Sequence, residues 1–241
     1  MVTSNIKIIR GLWGNLDLYK HEIPLKPLHN EMVYVWGVDN LIKLTEMGYE
    51  VTPMGEDITN PSESFNLKLD CLIKGQEDFG EIIFIDWDVK QIKDIDIAFY
   101  KELRENKFSM PTYSYPIEYL ELTEGKWVES IISEFKKYGW RLNQSIIIPN
   151  AGFIYSNNSD IPIELKKITN NHNIKTLIEE FSMWVYSNCD LEEYIKLYEP
   201  KCIYGRPDRI FKLNHIETNS EKDLHSLIDT LMKKNIYFIH E

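Results

Sequence analysis

The chain has 241 residues, with 27 Lys and Arg against 38 Asp and Glu, a formal net charge of -11 at pH 7, and 43% hydrophobic residues. This length can bury a sizeable core in one large or two small domains, and the acidic balance argues against a general electrostatic grip on nucleic acid. No stretch approaches the ~20 apolar residues of a spanning helix, "MVTSNIKIIRG" lacks the apolar centre of a signal peptide, and Cys71, Cys189 and Cys202 form no CxxC pair, so a cytoplasmic protein with reduced cysteines is expected.

In chain order, "IKIIRGLWG" reads as a first strand ending in a Gly-rich turn, and "VYVWG" as a second strand closed by Gly37. "DNLIKLTEMGYEVTPMG" follows as a helix with Asp39 as N-cap, Leu41, Ile42, Leu44 and Thr45 at helical spacing, and Gly48 as C-cap, then a returning strand. Helix and strand recur in "SESFNLKLDCLIKGQEDFGEIIFID": Phe65, Leu69, Leu72 and Ile73 share a face, and Gly80 separates the two elements.

Ile82, Ile83, Phe84 and Ile85 lack alternation, which predicts a strand covered on both faces, as in α/β sheets. It runs into Asp86, Trp87 and Asp88. Ligand sites of such sheets lie at strand ends, and a turn there can aim both carboxylates at one hard cation. The plain alternative is a strand that ends in water. A second Asp-x-Asp, Asp94 and Asp96, precedes a helix and reads as an N-cap with favourable first-turn charge.

Downstream, "GKWVESIISEFKKYGW" is an amphipathic helix, and "SIIIPNAGFIYSN" a buried strand interrupted by Asn150 and Gly152. "IKTLIEEFSMWVYSN" and "KDLHSLIDTLMKKN" are further helices, and "IYFIHE" is the last strand. The alternation, without repeats or a low-complexity linker, predicts an α/β protein with a mostly parallel central sheet flanked by helices.

The ordered set "FNLKLDCLIKGQEDFGEIIFIDWDV", "NAGFIYS" and "FIHE" resembles glycosyltransferases of the GT-A fold, in particular the glycogenin-like and galactosyltransferase-like group. The resemblance is best over residues 65 to 90 and 146 to 156. It implies one GT-A-like domain over 1–241, with a nucleotide-binding half at 1–90 and an acceptor-side half at 91–241. The implied activity is metal-dependent transfer of a sugar from a nucleotide-sugar, a UDP-sugar, to a saccharide, small-molecule or protein acceptor.

By motif position, Asp86 and Asp88 hold Mn2+ or Mg2+, Asp86 also reaches the donor ribose, and His240 is the third ligand with His215 as its rival. Lys68 matches the basic residue that contacts donor sugar and phosphates; the bland reading is a solvated lysine. Asn150 and Gly152 lie beside the sugar, or else form a strand bulge. Trp13, Tyr34 and Trp36 stack on base or sugar, or else are core. Glu179 and Glu180 stand where related enzymes carry an acidic residue for the acceptor; Glu180 and Asn150 are the candidate catalytic pair, against the alternative of a solvated helix edge for the glutamates.

Two departures stand out. The group continues past the late histidine with a glycine and a lysine that grips the diphosphate, whereas this sequence stops at Glu241, so either Lys68, Arg10 or Arg206 is expected to supply that charge or donor binding differs. Trp87 replaces a small or aliphatic residue, which implies an unusual sugar pocket. A rival class, the haloacid-dehalogenase-like Mg-dependent phosphatases, also begins with an apolar strand and Asp-x-Asp. It places that strand near the N-terminus and requires a later acidic pair, neither of which is found here. A GT-A-like sugar-nucleotide-binding protein without catalysis is a third possibility.

Overall fold

In the computed structural model the described residues are 6–19, 23–58, 66–105, 107–110, 112–115, 146–149, 151–171, 203–204 and 237–240, with single positions 133, 136, 137, 182, 183 and 185. In chain order they form β1 (Lys7–Leu12), α1 (Leu16–Tyr19), β2 (Glu31–Trp36), α2 (Val38–Glu46), β3 (Val51–Gly55), α3 (Leu67–Phe79), β4 (Ile82–Ile85) and β5 (Val89–Gln91). There follow α4 (Ile97–Arg104), β6 (Phe108–Ser109), β7 (Thr112–Tyr115), β8 (Ile146–Pro149), β9 (Phe153–Ser156), α5 (Asp160–Asn171), β10 (Ile203–Tyr204) and β11 (Phe238–His240).

The central sheet has six strands in the order β3-β2-β1-β4-β9-β6. β1 pairs in parallel with both β2 and β4, and β2 with β3; β9 then runs antiparallel to β4 and to β6. Every residue of β1, β2 and β4 is buried, as a strand covered on both faces requires. Alternate side chains feed two layers: Ile9, Ile82 and Phe84 pack with Leu69 and Leu72 of α3, while Ile8, Ile83 and Ile85 pack with Phe99, Phe153 and Phe238. The fold is thus α/β with a mixed, mostly parallel sheet.

Local signals hold at several ends. Gly80 closes α3 at φ 73; at α2 the C-cap is Met47 rather than the expected Gly48, which follows it at φ 87 with its N–H donating to Thr45 O. Asp96 caps α4, accepting from the Phe99 N–H at 3.0 Å. At α2 the expected cap is corrected: the N-cap is Gly37, and Asp39 lies inside the first turn. The helix begins directly off β2 because Gly37, at φ 92, turns the chain where a Cβ would meet Asp57 Oδ1 at 1.7 Å.

The stretch expected as one interrupted strand around Asn150 is two strands in different sheets. β8 pairs with β7, and β9 lies in the central sheet. β10, β11 and β5 form a small third sheet. The three helices expected at "GKWVESIISEFKKYGW", "IKTLIEEFSMWVYSN" and "KDLHSLIDTLMKKN" fall largely or wholly outside the described residues.

Candidate functional site

Strand order reverses at β1: the chain moves outward to β2 and β3 on one side and returns to place β4 on the other. A crevice at the carboxyl ends of strands on either side of such a reversal is the usual ligand position in open α/β sheets. Here β1 ends in Gly11 and Leu12 and runs into Trp13 and Gly14, and β4 runs into Asp86, Trp87 and Asp88.

The path after β4 is a tight turn. The Asp86 N–H donates to Gly152 O at 2.9 Å, and the Val89 N–H returns to Asp86 O at 3.1 Å before β5 begins. The turn sorts its side chains by polarity: Asp86 and Asp88 are half-buried, while Trp87 is 9% exposed. The Trp87 ring packs among Leu12, Val35, Leu44 and Tyr49, and its indole N–H donates to Gly11 O at 2.8 Å. Trp87 therefore anchors the turn from beneath, and its ring is engaged in the core rather than in an open sugar pocket.

Lys68, the second residue of α3, is 7% exposed, which excludes the solvated lysine. Its ammonium lies 2.8 Å from Asp86 Oδ2, 3.2 Å from Ala151 O and 5.4 Å from the centre of the Phe84 ring. A buried ammonium needs such an anion, and this pairing joins helix α3, the end of β4 and the start of the "AGF" segment.

Arg10 is the residue that sequence reasoning misplaced. It was a candidate for gripping a diphosphate, yet it is 1% exposed and forms an ion pair with the buried Glu31. Its signal was visible in retrospect, since an arginine inside an otherwise apolar strand must find an internal partner.

The aromatic candidates separate. Tyr34 is fully buried with its hydroxyl donating to Asp78 Oδ2 at 2.8 Å, and burial, followed by this carboxylate, pushes its pKa up. Trp36 is buried, and half-buried Trp13 meets it edge to face with centroids 5.9 Å apart. Of the three, Trp13 alone keeps substantial exposure at the end of β1. Cys71 is buried, and burial, foremost, holds its thiol well above the usual range, so it is a packing residue.

β11 runs antiparallel to β5, with His240 opposite Val89, so its backbone arrives one residue from Asp88. Among the described residues there is no group of three or more His, Cys, Asp and Glu side chains placed to hold a metal. Asn150, Glu179, Glu180, Arg206 and His215 lie outside the described residues. No helix among the described residues is long and apolar enough to cross a membrane.

No protein-family model matches the sequence, and no curated protein matches it. Solved structures do resemble it. An active-site mutant of LgtC superimposes with a TM-score of 0.55 at 12% identity, covering 98% of this chain and 86% of that one. The galactosyltransferase LgtC in complex with donor and acceptor sugar analogs gives 0.52 at 12% identity over the same shares. The bifunctional glycosyltransferase WbbM gives 0.51 at 12% identity, with 98% of this chain matched to 45% of that one. The phosphatase alternative loses its footing, since three strands of the sheet, β1 to β3, precede the Asp86 strand in the chain. The chain has the GT-A fold of these glycosyltransferases.

Proposed function

We propose that the protein is a metal-dependent glycosyltransferase that moves a sugar from a UDP-sugar to a saccharide, small-molecule or protein acceptor, and that residues 1–241 act as one domain for this purpose. The observation that carries the proposal is the turn at the switch point, which leaves Asp86 and Asp88 half-buried around a core-packed Trp87. Two solvent-accessible carboxylates in one turn are a donor set that fits a hard divalent cation such as Mn2+ or Mg2+.

Asp86 and Asp88 would hold the ion, with His240 as third ligand. When bound, such an ion supplies positive charge where the leaving diphosphate develops negative charge. Lys68 holds one Asp86 oxygen in place and positions the carboxylate before any ligand arrives. Gly152, through its carbonyl on the Asp86 N–H, ties the start of the "GFIYS" segment to the same turn; Asn150 is assigned to the sugar by motif position alone. Trp13 offers its half-buried ring to the base or sugar, and Glu180 is assigned to the acceptor hydroxyl.

The test is a titration of UDP and UDP-sugars with Mn2+ and with EDTA, followed by assay of sugar release or transfer. Mn-dependent UDP binding with turnover is expected. Binding without turnover would leave a sugar-nucleotide-binding protein, and no Mn dependence would overturn the metal assignment.

A further inference from the structure

We propose that Arg10 is a positioning residue for the Asp86–Asp88 turn, acting through the backbone and not through its charge; its effect on ligand binding rests on the function proposed above. The Arg10 guanidinium is divided among three groups. Nε donates to Glu31 Oε1, Nη1 donates to the carbonyl of Asp86, and Nη2 reaches the carbonyl of Val89 at 3.4 Å. Its carbon lies 4.9 Å from the centre of the Trp87 ring, and the next residue, Gly11, accepts the Trp87 indole N–H. Residues 10 and 11 of β1 thus hold the turn at both ends and in the middle.

The charge is internally balanced. Both side chains of the Arg10–Glu31 pair are 1% exposed, and the second Glu31 oxygen accepts from the Leu28 N–H at 2.6 Å. Glu31 therefore matches the guanidinium, so Arg10 needs no second anion and makes its contacts to the turn through backbone carbonyls. A well-packed apolar pair of similar volume would often fold as stably as a buried ion pair. What an apolar pair could not do is donate to two carbonyls, those of Asp86 and Val89, on either side of Trp87 and Asp88. The planar fork of an arginine does so, and a lysine, with a single nitrogen, cannot reproduce it.

The experiment compares the parent with Arg10→Lys and Trp87→Phe by two measurements. The first is UDP affinity in Mn2+ and in EDTA. Each variant should lose about tenfold in Mn2+ and show no change in EDTA, a split that a merely structural loss would not produce. The second is amide exchange at Val89, whose N–H closes the turn, against Val33, whose N–H donates to Glu50 O in the sheet. Exchange should quicken at Val89 and stay constant at Val33. Should Arg10→Lys fail to fold, the double variant Arg10→Met with Glu31→Leu, which removes the donors to the turn without stranding a buried charge, carries the test. Parent-like exchange at Val89 and parent-like Mn-dependent affinity in a folded variant would overturn the proposal. A parent that binds UDP equally in both buffers would overturn the metal assignment alone, whereas parent-like exchange at Val89 in a folded Arg10 variant would overturn the positioning role.

Discussion

Lys68 Nζ lies 2.8 Å from Asp86 Oδ2, so the first turn of α3 and the end of β4 meet in a partly buried ion pair. The ammonium is the more deeply buried partner, with side-chain exposures of 8% for Lys68 and 30% for Asp86. Removing the lysine leaves a carboxylate that water can reach; removing the aspartate strands a buried cation.

From this asymmetry, Lys68→Ala is predicted to cost about 1–3 kcal/mol of stability and to weaken UDP-sugar binding more than binding of uridine, which offers no phosphate. Thermal denaturation and parallel titrations of the two ligands check it. Equal losses for both ligands would confine Lys68 to holding Asp86.

Asp88→Ala is predicted to abolish Mn-dependent UDP binding with a Tm close to the parent's, because its half-buried side chain lies in a turn and not in the core. Asp86→Asn should be milder, since an amide oxygen can still accept from Lys68. Calorimetric titration of Mn2+ with UDP distinguishes the two, and unchanged Mn dependence in Asp88→Ala would remove the metal from this turn.

His240 faces Val89 across the β5–β11 ladder, so deleting the last two residues removes a strand position together with the imidazole. We predict that His240→Ala lowers Mn-supported turnover more than Mg-supported turnover, imidazole being the poorer ligand for Mg2+. His215→Ala should leave both largely intact. Turnover measured with each ion in the two variants decides between them, and the reverse pattern would move the third ligand to His215.

Away from the site, Glu81 accepts from Arg104 Nε and Nη2, each at 2.7 Å, and from the Tyr155 hydroxyl at 2.6 Å. Arg104 foremost, then Tyr155, holds the Glu81 carboxyl below its usual range against the opposing effect of burial. A folded-state pKa below the unfolded value of about 4.3 means that this contribution is complete above that pH and is lost as pH falls through the folded value. Because Arg104 is 45% exposed, solvent screening limits the pair to about 1 kcal/mol. Glu81→Gln should thus lower Tm by about 2–4 °C at neutral pH, and the gap should close in acid. Melting curves at both pH values check it.

Gly37→Ala is predicted to destabilise by about 1–3 kcal/mol, since the position combines φ 92 with Asp57 Oδ1 standing 1.7 Å from where the Cβ would go. Denaturant unfolding measures it, and Asp57→Ala in the same background should recover part of the loss by clearing the space.

What the sequence by itself determined is local. The unbroken apolar run at Ile82 to Ile85 specified a strand buried on both faces, Gly48 and Gly80 marked helix ends, and Asp96 marked a helix start, because periodicity, φ freedom and capping act within a few residues. The Asp86-Trp87-Asp88 triplet was legible for the same reason. Only tertiary structure decided which distant groups meet. Lys68 and Asp86 are 18 positions apart, and Arg10 and Asp86 are 76 apart. Their pairing depends on β4 docking beside β1, a consequence of strand order that no local window contains. The same holds for Trp87, turned inward by the Gly11 carbonyl, for the split around Asn150 into two sheets, and for His240 brought opposite Val89. Composition could reveal that Arg10 needed a buried partner; only the packed sheet could supply Glu31 on one side and the carbonyls of the turn on the other.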